Sequence, residues 1–109
     1  MHELALTENI IAGVAERVEG ARVTRVVLQI GKLSGVVPEA VRFCFDVCAA
    51  NTALEGASLE IVEIPARAIC RSCKSTIELS DMIALCSCGS ANLRMLSGNE
   101  LRVKEVEVL

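Results

Sequence analysis

The first three residues, Met1-His2-Glu3, group nitrogen and oxygen donors that could chelate a metal ion. A free amine at Met1, the backbone amide of His2 and the His2 imidazole would provide three nitrogens and close two adjacent chelate rings around one ion. Such donors suit Ni(II) or Cu(II), because both ions accept tetragonal coordination. Glu3 could supply an oxygen at the remaining position. A histidine near a chain end is more often simply solvated, so the motif by itself is only a hypothesis.

Four of the six cysteines form two closely spaced pairs of the kind that binds zinc. Cys70 and Cys73 have the spacing of a zinc knuckle, whereas a single residue separates Cys86 from Cys88. Two such pairs predict a tetrahedral site with four thiolates and Zn–S distances of about 2.3 Å, which is structural because no ligand position stays open. Gly89 would let the shorter pair bend around the ion. The alternative is a set of free thiols or a redox pair.

The other two cysteines have a different spacing. Cys44 and Cys48 stand four residues apart on the apolar face of a predicted helix. Free cysteine is a small hydrophobic residue that is readily buried, so we expect both thiols to pack in the core. A metal role for this pair is the weaker alternative.

Length and composition limit the class of protein. A chain of 109 residues with 52% hydrophobic residues and a net charge of −3 fits one compact domain, with or without a small insertion. The negative charge argues against a nucleic-acid-binding protein. No apolar run approaches the ~18 residues of a membrane span, and three glutamates interrupt any secretory signal near the start. We therefore expect a cytoplasmic protein, in which six cysteines indicate metal binding rather than disulfides.

Hydrophobic periodicity predicts the elements that would position these residues. Amphipathic helices are expected from residue 3 to about 19, with Leu4 and Ala5 on the apolar stripe, and from 38 to about 50, with Val47 on the buried face. Strands are expected over residues 22–33, 57–64 and 100–109, the last with a bulge near Lys104. Two brief strands are predicted around residues 77–79 and 83–85.

Residues 66–97 differ from the rest of the chain, because Arg, Ser, Cys and Gly are frequent there and apolar runs are short. Such a segment buries little by itself, so a metal ion would have to serve as its core. We expect the last strand to rejoin the sheet formed by the first two. The sequence thus predicts an α+β fold: a domain of two helices and three strands, residues 1–65 and 98–109, carrying an inserted cysteine module of residues 66–97.

Several stretches in combination resemble one known family over the whole chain. They are the opening M-H-E, then IGKLSGVVPEAVRFCF, LEIVEIPARAICRSC, the second cysteine pair ending in C-G-S, and LSGNELRVKEVEV. This combination is similar to the HypA/HybF proteins, which are nickel metallochaperones for the maturation of [NiFe]-hydrogenase and in some organisms of urease. The resemblance implies that residues 1–65 and 98–109 form a nickel domain and that residues 66–97 form an inserted zinc-ribbon-like module. It implies nickel binding by Met1 and His2, with Glu3 as a participant. It implies zinc binding by Cys70, Cys73, Cys86 and Cys88.

The same resemblance implies partners and a mode of action. The protein would bind Ni(2+) and Zn(2+), act as a monomer or weak homodimer, cooperate with the nickel-associated GTPase HypB and deliver nickel to a hydrogenase large subunit. Members of the family often have an acidic residue where Val37 stands here, so the fourth nickel ligand is not identified. The alternative function is a zinc-ribbon adaptor for a protein or nucleic acid with no nickel role. An enzyme is not expected, because no nucleophile–base pair or open catalytic metal is evident.

Overall fold

A computed structural model describes residues 3–80 and 85–109, which form two helices and six strands. In chain order they are α1 (Glu3–Arg17), β1 (Val23–Gly31), α2 (Pro38–Ala49), β2 (Ser58–Ile64), β3 (Ala66–Cys70), β4 (Thr76–Leu79), β5 (Leu93–Ser97) and β6 (Leu101–Val108). This arrangement confirms the predicted α+β class. Neither α1 nor α2, the helices of the described part of the chain, has the length and apolarity needed to span a lipid bilayer.

The first sheet has the strand order β2-β1-β6, in which β1 is parallel to β2 and antiparallel to β6. The last strand therefore rejoins the first two, as predicted. The pairing passes from Val27 with Glu105 to Leu28 with Val103, so Lys104 is the extra residue of a bulge. The bulge predicted near Lys104 is thus confirmed. The bulge shifts the alternation of side chains along β6 by one residue. Val103 and Val106 therefore both pack against the core that the helices form with the sheet.

The two helices cover one face of this sheet with aliphatic side chains. The buried residues of this core are Ile11, Val14, Val23, Val26, Phe45, Ala49, Leu54 and Ala57, continued by Leu28, Ile30 and Val41. Cys44 and Cys48 are half-buried, and Cys48 packs against the core, where desolvation raises the pKa of its thiol. The buried apolar residues named for this core are aliphatic, apart from the ring of Phe45.

The structure corrects three positions on the helices. Val47 is 62% exposed, because it lies about 200° around the helix from Phe45, which faces the core. Leu4 and Ala5 are exposed as well, and Thr7 takes the buried place one turn before the first core residue of α1. The Thr7 hydroxyl donates a hydrogen bond of 2.6 Å to the carbonyl of Glu3, which satisfies this polar group inside the core.

The opposite face of the first sheet is polar. The Arg25 guanidinium forms ion pairs of 2.8, 3.0 and 2.7 Å with Glu60, Glu105 and Glu107 respectively. Hydrogen bonding to Glu60 is the largest of the effects that raise the pKa of Arg25. The first sheet therefore packs its helices on one side and presents a charged surface on the other.

The second sheet has the order β4-β3-β5, with both pairs antiparallel. The strand predicted around residues 77–79 is present as β4. In the second predicted strand, Leu85 lies outside any strand and residue 83 lies outside the described residues. The strands β3 and β5 were not predicted. Strand β3 begins directly after Pro65, a residue expected to end a strand, and β5 is mostly exposed and lacks a buried stripe. The core of this sheet is small and consists of Ala66, Ala68 and Leu79.

The chain passes between the two sheets at one crowded point. A side chain at Gly31 would collide with the carbonyl of Gly98, and a Cβ at Gly98 would lie 2.6 Å from the Cα of Ala66. The φ angle of Gly98 is +116°, a conformation that residues with side chains rarely adopt. These close backbone approaches require glycine at both positions and fix the path of the chain from one sheet to the other.

Candidate metal-binding sites

Strand β3 ends in the turn that carries the first cysteine pair. The amide of Cys70 donates to the carbonyl of Ser75 over 2.8 Å, and the amide of Lys74 donates to the carbonyl of Cys70 over 2.8 Å. Lys74 accommodates the turn with a φ of +68°. The amide of Cys73 is directed at the Cys70 sulfur, 3.5 Å away. This turn places both thiols of the pair on the same side of the chain, as a zinc knuckle does.

The second pair is held by a tighter turn around Gly89. The amide of Gly89 donates to the carbonyl of Cys86 over 2.8 Å, and the amide of Cys86 donates to the carbonyl of Ser90 over 2.9 Å. Gly89 has a φ of +91°, where a side chain would be strained. A glycine after the second cysteine therefore compensates for the missing residue in the Cys86–Cys88 spacing.

The four sulfurs converge on one point. The sulfurs of Cys70 and Cys88 are 3.7 Å apart, those of Cys73 and Cys86 are 3.5 Å apart, and all four lie within 4.8 Å of one another. A tetrahedral ion with Zn–S distances of about 2.3 Å would separate its sulfurs by about 3.8 Å. The donor set and its spacing therefore fit zinc. All six cysteines, which belong to the described residues, are free thiols.

The surroundings of the cluster favour the thiolate form at two of its members. Hydrogen bonding with the hydroxyl and the amide of Ser75 lowers the pKa of Cys73 to about 6. The amide of Cys73 is the largest influence that lowers the pKa of Cys70, against its desolvation. At Cys88 the amide of Ser90 acts to lower the pKa, but the neighbouring thiols and desolvation outweigh it and raise the pKa to about 11. Since metals bind thiolates, an incoming ion would displace the proton of Cys88.

Of the three predicted nickel ligands, only Glu3 belongs to the described residues, and Met1 and His2 lie outside them. Glu3 is the first residue of α1, and its Oε2 accepts a hydrogen bond of 3.2 Å from the amide of Val37. Val37 directly precedes Pro38, the first residue of α2. The Glu3 carboxylate thus lies at the positive end of the α2 dipole, where negative charge is favoured. The helix packing therefore positions one oxygen donor beside the start of the chain.

The contact between Glu3 and Val37 was not predicted. The sequence singles out residues by their side chains, and the partner here is a backbone amide whose residue is an ordinary valine. The only signal was the position of Val37 directly before a proline at a predicted helix start, where an amide lacks an intrahelical partner. Sequence reasoning could have marked this amide as available, but not which carboxylate would reach it.

The fold and the cysteine cluster define an α+β metal-binding protein. Over residues 1–108 the chain matches the family described as "Hydrogenase/urease nickel incorporation, metallochaperone, hypA". The chain therefore belongs to the HypA family of nickel metallochaperones for hydrogenase maturation, which confirms the resemblance found in its sequence.

Two relatives agree with this assignment, and one solved structure shares the fold. The chain is 53% identical over 108 residues to the hydrogenase maturation factor HypA of Trichormus variabilis, covering 99% of this chain and 96% of the relative. It is 46% identical over 109 residues to HypA of Geobacter sulfurreducens, covering 99% of both. The solution structure of the Ni metallochaperone HypA from Helicobacter pylori is similar with a TM-score of 0.68 and 24% identity, covering 100% of this chain and 98% of that one. This last similarity shows the shared fold.

Proposed function

We propose that this protein binds Ni(II) through Met1, His2 and Glu3 and delivers it to the large subunit of a [NiFe]-hydrogenase, with urease as a second client for the nickel. Membership of the HypA family over residues 1–108 is the observation that carries this proposal. The protein would act in the cytoplasm as a monomer or weak homodimer and would not itself be an enzyme. Its partner in nickel transfer would be the GTPase HypB.

The chemistry of the proposed nickel site follows from its donors. A free amine, a deprotonated backbone amide and an imidazole supply three nitrogens to a Ni(II) ion that accepts tetragonal coordination. A carboxylate has two oxygens, so that of Glu3 can accept the hydrogen bond from Val37 and contact an ion at the same time. Ligands grouped at a chain end can be displaced one after another, which suits an ion that must be passed on.

We further propose that the four clustered cysteines hold a zinc ion with a structural role. Four thiolates leave no open coordination position, so this ion would not take part in nickel transfer directly. Residues 66–97 would then form an inserted zinc module, and residues 1–65 with 98–109 would form the nickel domain. The small core of the second sheet supports this proposal. So few buried residues cannot stabilise the sheet by themselves, and a bound ion would supply the missing stability.

The test of the nickel proposal is a short extension in front of Met1. Untagged protein should take up one nickel ion per chain in a titration while keeping its zinc. Protein with two additional residues before Met1 should lose this uptake, because the amine no longer stands next to His2. The same two residues added after Leu109 serve as the control. Equal nickel affinity in both extended proteins would contradict the proposed site, and no uptake by untagged protein would favour a zinc-only adaptor.

Nickel binding should weaken as the pH falls. The amine and the imidazole must lose their protons to bind, and their reference pKa values are about 7.7 and 6.5. Protons therefore compete with nickel below these values, and affinity should decline progressively from about pH 8 to about pH 5.5. Calorimetric titrations at several pH values test this. An affinity that does not change over this range would point to carboxylates as the nickel ligands.

A further inference from the structure

Strand β6 lies at the edge of the first sheet, and among the described residues it pairs with β1 alone. The strand has the sequence L-R-V-K-E-V-E-V, which is complementary to itself when one copy is reversed. In that register an apolar residue meets an apolar one and a cation meets an anion. The four matches are Leu101 with Val108, Arg102 with Glu107, Val103 with Val106 and Lys104 with Glu105. Two antiparallel copies of β6 would therefore form favourable cross-strand pairs along their whole length.

The bulge at Lys104 makes this register geometrically possible. In a regular strand, residues three positions apart point to opposite faces of the sheet. Val103 and Val106 are three positions apart, yet both pack against the core, because Lys104 is the extra residue of the bulge. A two-fold axis perpendicular to the sheet keeps each residue on the same face in both copies. It can therefore place Val103 opposite Val106 only because the bulge has put the two on one face.

The charged residues of β6 have capacity for a partner in a second copy. The Nε of Arg102 and one oxygen of Glu107 are engaged within the chain. A guanidinium has five N–H donors and a carboxylate has two oxygens, so both groups can bind one partner more. Lys104 forms no ion pair with any described residue. A lysine and a bulge usually discourage pairing at a sheet edge, but in this register Glu105 of the second copy would stand opposite the lysine.

A groove of about 630 Å³ lies between α1 and β6. Its apolar lining consists of Ile10, Val14, Val18, Val103 and Val106. Gly13 also lines the groove, and a Cβ at this position would meet no atom within 4 Å, so the space beside α1 is open. A second copy paired at β6 would bring its own two valines of the strand beside the groove. Pairing would therefore remove apolar surface of both copies from water.

We propose that two copies of this chain pair through antiparallel β6 strands about a two-fold axis, which joins their three-stranded sheets into one. The axis passes between Lys104 and Glu105, so each lysine faces a glutamate of the other copy. One strand and one groove form a small interface, of at most about 1,200 Å², which fits a weak dimer that dissociates on dilution. The interface uses none of the proposed metal ligands. This inference therefore goes beyond the proposed nickel function and does not depend on it.

Sedimentation equilibrium of charge variants tests this interface. Wild-type protein without added nickel should show a monomer–dimer equilibrium that shifts towards the monomer on dilution. Lys104→Glu should raise the dissociation constant about tenfold or more, because two like-charged pairs would then face each other across the axis. Glu105→Lys should do the same for the same reason. The matched control is Lys32→Glu, which changes the net charge equally at an exposed position outside β6 and should leave the equilibrium unchanged.

A mixture of the two charge variants is the sharper test. In a mixed dimer of Lys104→Glu with Glu105→Lys, opposite charges again face each other at both positions. Mixing should therefore restore the dissociation constant to near its wild-type value, although neither variant dimerises well by itself. Far-UV circular dichroism of each variant identifies any that fails to fold.

Gly13→Arg tests the groove without changing β6. The new side chain would enter open space in the monomer, so the chain should fold, but it would occupy the room that the second copy needs. Dimerisation should weaken accordingly. The proposal would be overturned by a wild type that stays monomeric at every concentration, by wild-type dimerisation in Lys104→Glu or Gly13→Arg, or by a mixture that does not recover. Each of these results would leave the nickel function intact, because no nickel is present.

Discussion

Replacing Cys70 by serine should cost the protein its zinc and unfold the second sheet while the first sheet stays folded. Cys70 is fully buried and ends β3, the central strand of that sheet. Structural zinc contributes about 10–16 kcal/mol of apparent binding free energy in small zinc domains. The core of Ala66, Ala68 and Leu79 is too small to replace this contribution. Metal analysis should therefore find less than one zinc per chain, and amides of β3 to β5 should lose their protection from exchange.

The control for this experiment is the same substitution on α2. Cys44 is half-buried and belongs to the first part of the molecule, so Cys44→Ser should keep its zinc and the protection of the second sheet. The first sheet should survive in both variants, because its helices and strands form cores of their own. Full zinc occupancy and unchanged protection in Cys70→Ser would show that the clustered thiols are not the metal site.

Nickel affinity should fall by about two orders of magnitude or more in His2→Ala. Loss of a group that merely supports a metal ligand costs roughly 10- to 100-fold in affinity, so loss of a direct ligand should cost at least as much. His2 is the single histidine of the chain, and no other imidazole can take its place. Calorimetric titration of untagged protein measures the effect, with zinc content as the check that the fold is intact.

Glu3→Gln provides a graded comparison for that result. The amide side chain keeps an oxygen that can accept the hydrogen bond from Val37, but it removes the negative charge. Nickel affinity should fall by less than in His2→Ala, because the three nitrogen donors are retained. Wild-type affinity in His2→Ala would exclude the imidazole as a ligand, and a larger loss in Glu3→Gln would make the carboxylate the principal one.

The parts of the fold that could be predicted are those with a strong repeating pattern. Both helices and all three strands of the first sheet have apolar stripes. Even the β-bulge at Lys104 is visible in the sequence, as a change in the alternation of apolar and polar residues. Strand β3 is only five residues long and its buried positions are the small residues Ala66, Ala68 and Cys70, whereas β5 is mostly exposed and has no buried stripe. Their pairing is set by contacts between distant parts of the chain, which periodicity does not report.

The candidate sites divide in the same way. The cysteine cluster could be predicted, because thiols at knuckle spacing bind metal through their own side chains, and the structure brings all four together. The contact of Glu3 with the amide of Val37 could not be predicted, because it depends on how α1 packs against the start of α2. The packing of Leu33 in the second sheet was equally hidden, since nothing in a single leucine indicates which of two cores it will join.

The contact between Gly98 and Ala66 has a consequence for protein engineering. The segment between them leaves and re-enters the body of the molecule at neighbouring points, which is the arrangement that tolerates insertion or removal of a whole unit. A short turn could therefore bridge the gap and produce a miniature version lacking the cysteine-bearing strands. In the shortened protein, Leu33 would lose its contacts with the core of the second sheet and become exposed. Replacing Leu33 by a polar residue would therefore be the first requirement for solubility.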